Sequence, residues 1–443
     1  MTASPFNAAF DLTDGSVETW SGLHGSSLAL ALLAAAGRAD RVTLIITRSS
    51  HQAQMLHRDL ELLSTGELPV LLFPDHETLP YDPFSPHPDI ISERLRTLSE
   101  LSTLSTGILL CPIGSLAQKL PPAGYILQRS FNLAAGDRLV IEDFRRQLDH
   151  AGYTASEQVY QAGQYAVRGS VIDLFPAGSR NPYRIDLFDE DIDTIRLFDA
   201  ESQRSTGKVE RIELLPAREF PCDEAALEGF RKAFRNRFDV DTRHVNLYQD
   251  LRRGILPQGL EQYLPLFYGE TSFLLDYLDH QPHTVLQAGT EKAAGDMARR
   301  TLERWEQRRH DVERPVLDPE ELFFPPDEIS RRLDDLSVTH LPDADNKPPA
   351  RPRFSTAPAP DLHIHERGKE PAADLLSFLE GCSGRILFAA DTPGRREVMR
   401  TTLAAFGIRP RSYDDFRSFR AGSDPSGIAV LPIEEGFISL VDG

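Results

Sequence analysis

The chain has 443 residues, which is too long for a single hydrophobic core, so two to four domains are expected. Its formal net charge of -19 argues against a broad basic surface for nucleic acid, although a local basic patch or a basic partner remains compatible with it. Three widely separated cysteines, the lack of any apolar run of 18 residues and an N-terminus without signal-peptide character predict a reducing, cytoplasmic location away from membranes.

Strand and helix patterns alternate in the first part of the chain. Helices are predicted at about 26–36 and 50–63, and strands at 41–47, 70–73 and 107–112. This alternation predicts a parallel sheet with helices on its faces.

The loop before the first predicted helix occupies the place of a phosphate-binding loop. An active Walker loop follows G-x-x-x-x-G-K-[ST], because its glycines admit the phosphates, its lysine binds them and its hydroxyl binds magnesium. Here Ser27, Leu28 and Ala29 stand at the last three positions. The loop therefore reads either as a degenerate, inactive nucleotide loop or as a plain turn between a strand and a helix. Its candidate residues are Gly22, Gly25, Ser26, Ser27 and Leu28.

A second position that active ATPases need is also altered. A later strand predicted at 284–287 runs into Gln287-Ala288-Gly289, where such enzymes present a magnesium-binding acid and a catalytic carboxylate. Neither acid is present in that tripeptide.

A proline-rich segment, 80–88, contains the aromatic residues Tyr81, Phe84 and His87. Such a cluster could stack on nucleic-acid bases, but a loop held over a core is the more frequent arrangement and is favoured here.

The stretch from Tyr165 to Asp199 reads as three short strands separated by turns at 176–179 and 189–191. In the middle strand, alternation puts Arg184, Asp186 and Phe188 on the face opposite Tyr183, Ile185 and Leu187. Arginine beside an exposed aromatic residue is typical of a partner-binding surface. The alternative is a local ion pair of Arg184 with Asp186 or Glu190 across a hairpin.

Acidic residues crowd the turn after this strand, namely Asp186, Asp189, Glu190, Asp191 and Asp193. They could belong to a metal-dependent nuclease, but no histidine or lysine accompanies them in sequence, and a solvated turn is favoured.

The rest of the chain is mainly helical to about residue 336. Six prolines between 341 and 360 predict a linker, and the following helix and strand patterns predict a small flavodoxin-like or Rossmann-like unit. An apolar run at 436–441 leads us to expect that the chain is a piece of a longer protein.

Three long motifs occur in an informative order: ETLPYDPFSPHPDIISERL, YAVRGSVIDLFPAGSRNPYRIDLFDEDIDTIRLFD and GILPQGLEQYLPLFY. Together they resemble the N-terminal part of the bacterial transcription-repair coupling factor (Mfd) family. The first two also resemble the excision-repair protein UvrB, whose R-G-x-x-x-[DE]-[IL]-F-P pattern is matched at 168–176. UvrB keeps the Walker lysine, the DEAD-type acid and a long damage-clamping hairpin, which this chain lacks, so the Mfd family is favoured.

The resemblance implies a degenerate helicase-like, P-loop-derived parallel-sheet domain with an inserted α+β domain, followed by a small α/β domain. It divides the chain into domain 1a (1–128), domain 2 (129–216), domain 1b (217–340), a linker (341–360) and domain 3 (361–443).

The implied function is the non-catalytic recruitment of UvrA, and with it nucleotide excision repair, to transcription complexes stalled at DNA damage. The family's UvrA contacts correspond to Arg168, Arg184 and Phe188. Strict alternation instead groups Arg168 with Ile172 and Leu174 on an inward face, unless Gly169 makes a bulge that turns it outward.

RNA polymerase, double-stranded DNA, ATP and magnesium are implied only for the later domains of the family protein, an ATP-dependent DNA translocase. For this chain the resemblance implies no enzymatic activity and no cofactor. The alternative function is a diverged UvrB-like, ATP-dependent damage-binding or helicase protein.

Overall fold

The computed structural model describes residues 3–13, 15–64, 66, 68–342, 353–362 and 371–441. Half of the segment predicted to be a linker, residues 343–352, lies outside this range.

Strands and helices alternate up to residue 116, which confirms the predicted α/β pattern, and a further short helix follows. The strands are β1 (Val17–Thr19), β2 (Val42–Thr47), β3 (Val70–Leu72) and β4 (Gly107–Pro112). The helices are α1 (Ser27–Ala36), α2 (Ser50–Leu63), α3 (Pro88–Leu101), α4 (Ile113–Leu116) and α5 (Gly124–Arg129).

A strand-rich segment follows, with a single helix, α6 (Ile141–His150). Its strands are β5 (Phe131–Ala134), β6 (Thr154–Ala155), β7 (Gln164–Arg168), β8 (Val171–Phe175), β9 (Tyr183–Phe188), β10 (Asp191–Phe198), β11 (Ser205–Val209) and β12 (Arg211–Leu214).

The third segment is mainly helical, as predicted, and includes 3-10 turns at Leu260–Leu266 and Leu274–Tyr277. Its elements are α7 (Glu224–Arg237), α8 (Asn246–Arg252), β13 (His283–Gln287), α9 (Thr290–Arg308), α10 (Pro319–Leu322), α11 (Pro326–Leu333) and β14 (Val338–Leu341).

The C-terminal segment mixes both element types. It contains β15 (Thr356–Pro358), α12 (Ala373–Gly381), β16 (Ile386–Ala390), α13 (Pro393–Ala405), β17 (Arg411–Ser412), α14 (Phe416–Ala421), β18 (Ser426–Val430) and β19 (Phe437–Ser439).

The first and third segments share one parallel sheet, with the strand order β1-β14-β13-β2-β4-β3. Every residue of β2 and of β4 is buried. Their largely apolar sequences, interrupted in β2 only by Thr43 and Thr47, fit this position, because a central parallel strand is covered on both faces.

Alternate residues of β2 enter two different cores. Leu44 and Ile46 pack with apolar residues of α3 and α11, whereas Ile45 packs with those of α1 and α2. This period of two residues is what places helices on both faces of the sheet.

The strand-rich segment forms a second sheet, ordered β11-β10-β9-β8-β7-β6, which is antiparallel except for the pair β6–β7. Helix α6 and the separate pair β5–β12 cover one face, where Phe144 and Leu148 meet Ile172 and Leu174. The sequence predicted three strands between 165 and 199, and the structure has four. The prediction missed the two-residue turn at Gly169-Ser170, where Gly169 has φ +61°.

The C-terminal segment contains a small parallel sheet ordered β16-β18-β17, and a separate antiparallel pair of β15 with β19. The small sheet packs around Tyr413, Phe419, Ala429 and Leu431. Strand β15 lies inside the segment that the sequence predicted to be a linker.

Candidate functional site

One face of the second sheet is covered by α6 and the β5–β12 pair. The opposite face, here called the open face, is covered only in part, where Val159 packs with Ala166 and Phe198. In β9, Tyr183, Ile185 and Leu187 face the core formed with α6, and Arg184, Asp186 and Phe188 face the other way. The alternation predicted for this strand is therefore confirmed. Phe188 is 77% exposed, a large value for an aromatic side chain.

Asp173 of β8 organises the open face. Its side chain has no exposed surface, and its two oxygens accept hydrogen bonds from Arg184 Nε at 2.6 Å and Nη2 at 2.9 Å. Arg168 donates a further hydrogen bond to the same carboxylate. The two-pronged contact is the strong geometry of an arginine–carboxylate pair. The hydrogen bonds to Asp173 raise the pKa of Arg184, which therefore stays charged.

The alternative pairing of Arg184 with Asp186 or Glu190 is wrong. Asp186 accepts a hydrogen bond from Arg196 Nη2 at 2.6 Å, and Glu190 binds Arg138. Arg184 instead reaches the strand on its other side, because Asp173 is its register partner on β8.

The inward orientation that strict alternation gives to Arg168 is also wrong. The turn at 169–170 pairs Arg168 with Val171, so Arg168 shares a face with Val171 and Asp173. If residues 169 and 170 are counted as part of a continuous strand, alternation assigns Arg168 to the opposite face of the sheet. A tight two-residue turn, rather than a bulge, directs this half-exposed side chain outward.

Two further cations on the open face escaped the sequence analysis. Arg196 is the register partner of Arg184 on β10, and Lys208 is the partner of Arg196 on β11. The guanidinium of Arg184 also lies 5.0 Å from the ring centre of Phe198. Applying the same alternation to β10 would have revealed Arg196. We define the open-face patch as Arg168, Arg184, Phe188, Arg196 and Lys208.

The acidic turn at 186–193 has a structural explanation. Asp186 and Glu190 are held by arginines, and Asp189 occupies the β9–β10 turn with φ +58°. In the ranges that the structure describes, no three His, Cys, Asp or Glu side chains are grouped so that they could hold a metal ion.

The predicted nucleotide loop lies at the carboxyl edge of the large parallel sheet, between β1 and α1. Gly22 and Gly25 have positive φ values of +81° and +50°. Ser26 precedes the helix, and Ser27 begins it and accepts a hydrogen bond from the His24 N–H at 2.8 Å. Leu28 packs against the core beneath α1, so it is an apolar contact where an active loop would present its lysine.

Gln287 is the last residue of β13, and Ala288 and Gly289 follow it at the same edge of the sheet. The Gln287 side-chain oxygen accepts a hydrogen bond from the Arg48 N–H at 3.2 Å, and Gly289 directly precedes α9 with φ +81°.

Tyr81, Phe84 and His87 do not form one exposed platform. Tyr81 is 3% exposed and packs in a core with Phe220 and Phe230, whereas Phe84 is 66% exposed. The interpretation as a loop held over a core is confirmed for Tyr81.

A bilayer-spanning helix would need more length and apolarity than any helix within the described ranges possesses.

Two family descriptions match the chain. The UvrB interaction domain matches residues 131–220, which include the second sheet, and the MFD D3 domain matches residues 378–442.

The curated relatives agree with these matches. The transcription-repair-coupling factor of Haemophilus influenzae is 38% identical over 412 residues, which cover 93% of this chain and 36% of that protein. The Escherichia coli protein of the same name is 36% identical over 425 residues, which cover 95% of this chain and 36% of that protein. The Bacillus subtilis protein is 29% identical over 270 residues, which cover 58% of this chain and 23% of that protein. The chain thus spans about a third of the length of the two most extensively matched of these relatives. It belongs to the transcription-repair-coupling factor family and corresponds to an N-terminal part of those relatives.

Proposed function

We propose that this chain recruits UvrA to transcription complexes stalled at DNA damage, and that the open-face patch makes the contact. The observation that carries the proposal is an exposed Phe188 on the same sheet face as two arginines, in the segment that matches a UvrB interaction domain. Arg168, Arg184 and Phe188 are the proposed UvrA contacts.

The chemistry of the patch suits an acidic, partly apolar partner surface. Asp173 and Asp186 offset two of the four cations of the patch, which therefore keeps a net positive charge on the face that carries the Phe188 ring. Carboxylates of a partner would add charge-assisted hydrogen bonds, and Phe188 would lose most of its exposed area. Truncating such an aromatic anchor typically costs about 2–4 kcal/mol of binding free energy.

Phe188→Ala provides the clearest test, because this side chain is mostly exposed and its removal disturbs little of the core. We expect the affinity for purified UvrA, measured by isothermal titration calorimetry, to fall at least 30-fold, which corresponds to about 2 kcal/mol. Arg146→Glu is a matched control, since Arg146 is an exposed, ion-paired arginine on α6, which covers the other face of the sheet. Unchanged affinity in Phe188→Ala would refute the proposed contact.

We further propose that the chain itself is not an enzyme. The residues at the positions of the Walker lysine and of the DEAD-type acids, Leu28 and Gln287-Ala288-Gly289, support this proposal. RNA polymerase, double-stranded DNA, ATP and magnesium would then be engaged by the family's remaining two-thirds. A diverged UvrB-like ATPase, the alternative, would hydrolyse ATP with this chain alone.

The finer fold description is also a proposal: a P-loop-derived domain 1 made of 1–128 and 217–340, interrupted by domain 2 at 129–216. The strand order of the large sheet supports it, because β13 and β14 rejoin β1 and β2 after the second sheet. We propose a linker at 341–360, a Rossmann-like domain 3 at 361–443 and a cytoplasmic location.

A further inference from the structure

The loop at 22–28 is crossed by another part of the same chain. The Ser26 N–H donates a 2.9 Å hydrogen bond to the main-chain oxygen of Glu435. At Gly25, a Cβ atom would lie 2.5 Å from the main-chain oxygen of Gly436 and 2.6 Å from that of Glu435. These are backbone atoms, which cannot rotate away as the end of a side chain could, so the crossing segment can approach only because residue 25 is glycine.

A second strand fixes the crossing segment in place. Residues 437–439 pair with 356–358 as β19 and β15, and the Thr356 hydroxyl donates to the Gly22 main-chain oxygen at 2.7 Å. The same hydroxyl accepts a hydrogen bond from the His24 N–H at 3.1 Å. Strand β15 and the residues just before β19 are thus attached to the loop by main-chain groups of the loop itself.

Side chains extend the contact in both directions. Phe354, which is fully buried, lies edge-on to Trp20 with ring centres 5.0 Å apart. Phe416 and Ile433 pack against the core of the small C-terminal sheet and also against the core beneath α1. Arg58 of α2 forms a 2.9 Å ion pair with Glu434.

We infer that the degenerate nucleotide loop is an intramolecular docking site for the chain's own β15–β19 pair, which attaches the C-terminal unit to the large sheet. In an active loop, phosphate oxygens accept hydrogen bonds from main-chain N–H groups at the start of the helix. Here the Glu435 main-chain oxygen accepts a hydrogen bond from the Ser26 N–H, and the Glu435–Gly436 peptide lies against Gly25. Nucleotide is excluded from the loop by the chain itself, in addition to the loss of the lysine.

The retained glycine has a reason in this arrangement. In the pattern G-x-x-x-x-G-K-[ST], residue 25 stands at an unspecified position, so phosphate binding alone does not explain a glycine there, whereas the docked peptide leaves no room for a side chain. This inference does not rest on UvrA binding, because it concerns a different sheet.

The test substitutes Gly25→Ala in the full chain and follows hydrogen–deuterium exchange by mass spectrometry. We expect exchange in peptides covering 22–30 and 432–441 to accelerate at least fivefold, while peptides of the central strand β4 keep the wild-type rate. Gly15→Ala is the matched control, because Gly15 has a similar positive φ of +72° and open space around its Cβ position. The Gly15→Ala variant introduces a similar backbone strain but does not contact the crossing segment. Equal exchange in Gly25→Ala and Gly15→Ala would overturn the inference.

A charge-swap pair tests the docking without changing any glycine, and so covers the case in which Gly25→Ala fails to fold. Arg58→Glu should accelerate exchange at 432–441, because the new carboxylate faces Glu434, and the double variant Arg58→Glu with Glu434→Arg should restore the wild-type rate. Acceleration that persists in the double variant would contradict the docking.

Exclusion of nucleotide is tested by adding Mg-ATP to the wild-type chain, which should leave exchange at 22–30 and 432–441 unchanged. A change in the exchange rate of either segment on adding Mg-ATP would overturn the inference that the loop excludes nucleotide.

Discussion

Asp173 is a carboxylate without exposed surface on the partly open sheet face. Burying a carboxylate costs free energy unless it is paired and hydrogen-bonded, and Arg184 and Arg168 provide those partners. The two arginines differ in exposure: the Arg184 side chain is 20% exposed and that of Arg168 is 50% exposed. Arg184 therefore has a structural task in addition to the proposed contact, whereas Arg168 is freer to engage a partner.

This difference predicts unequal effects on stability. Arg184→Ala leaves Asp173 with one half-exposed partner, so we expect the free energy of unfolding of the second sheet to fall by about 2–3 kcal/mol. Arg168→Ala should cost less than about 1 kcal/mol, because Arg168 is half-exposed and the two-pronged contact of Arg184 with Asp173 remains. Urea unfolding monitored through exchange of β8 and β9 amides measures both values. Adding Asp173→Asn to Arg184→Ala should recover part of the loss, and a double variant less stable than the single one would contradict the assignment.

Single residues also mark the limit of what the sequence could predict on this face. The orientations of Arg184 and Phe188 followed from alternation within one uninterrupted strand. That of Arg168 did not, because a two-residue turn reverses the parity and Gly169-Ser170 was read as part of a strand. The partner of Arg184 also lay out of reach, since the neighbour of β9 on that side is set by the pairing of strands rather than by local sequence.

Among the elements of the large sheet, β13 depends on a buried histidine. His283 contacts the Ser337 hydroxyl through Nδ1 and the Thr339 hydroxyl through Nε2, each at 2.8 Å, and its ring stacks on Phe10. Thr339 in turn donates to Glu18 of β1 at 2.9 Å. One side chain thus links β13 to β14 and, through Thr339, to β1.

Burial lowers the pKa of His283 from 6.5 to about 4, so the ring is neutral in the folded protein at pH 7. The unfolded chain takes up a proton below pH 6.5 and the folded chain does not, so the sheet should lose stability as the pH falls from 6.5 to 4. We predict a larger drop in melting temperature for the wild type than for His283→Gln between pH 7.5 and 4.5. Differential scanning calorimetry at the two pH values measures it, and parallel shifts in both proteins would contradict it.

The elements that sequence patterns missed share a physical cause. Strands β1, β14 and β15 have three or four residues each, and polar residues such as Glu18 and Thr339 interrupt the apolar pattern of β1 and β14. Strands that short carry almost no periodic signal, and tertiary pairing decides their structure. Strands β2 and β4 could be predicted because a strand covered on both faces needs a largely apolar sequence.

At the scale of the whole molecule, three distant parts of the chain meet at Glu219. Its carboxylate accepts a hydrogen bond from Arg94 Nε of α3 at 2.7 Å and contacts His76 Nε2, which follows β3, at 3.0 Å. Arg94 is completely buried and its guanidinium lies 4.2 Å from the ring centre of Phe73. Glu219 lies just after the second sheet, so this cluster fixes the point at which the chain returns to the large sheet. The order of the motifs indicated that return, but a contact between residues 76, 94 and 219 had no local signal.

The cluster predicts a specific sensitivity to acid. Burial alone would raise the pKa of Glu219, but Arg94 and His76 outweigh it and lower the pKa from 4.5 to about 2. A lowered carboxyl pKa stabilises the fold above pH 4.5, and this contribution is lost as the pH falls towards 2. Glu219→Gln leaves Arg94 buried without a countercharge, so at pH 7 we expect a loss of about 3–5 kcal/mol in the free energy of unfolding, and a smaller gap from the wild type at pH 3. Glu228→Gln, which removes an exposed acid paired with Arg231, should change little at either pH. Urea denaturation of the three proteins at pH 7 and pH 3 measures these differences in the free energy of unfolding. A difference between Glu219→Gln and the wild type that is equally large at pH 3 would show that the charge of Glu219 does not hold these segments together.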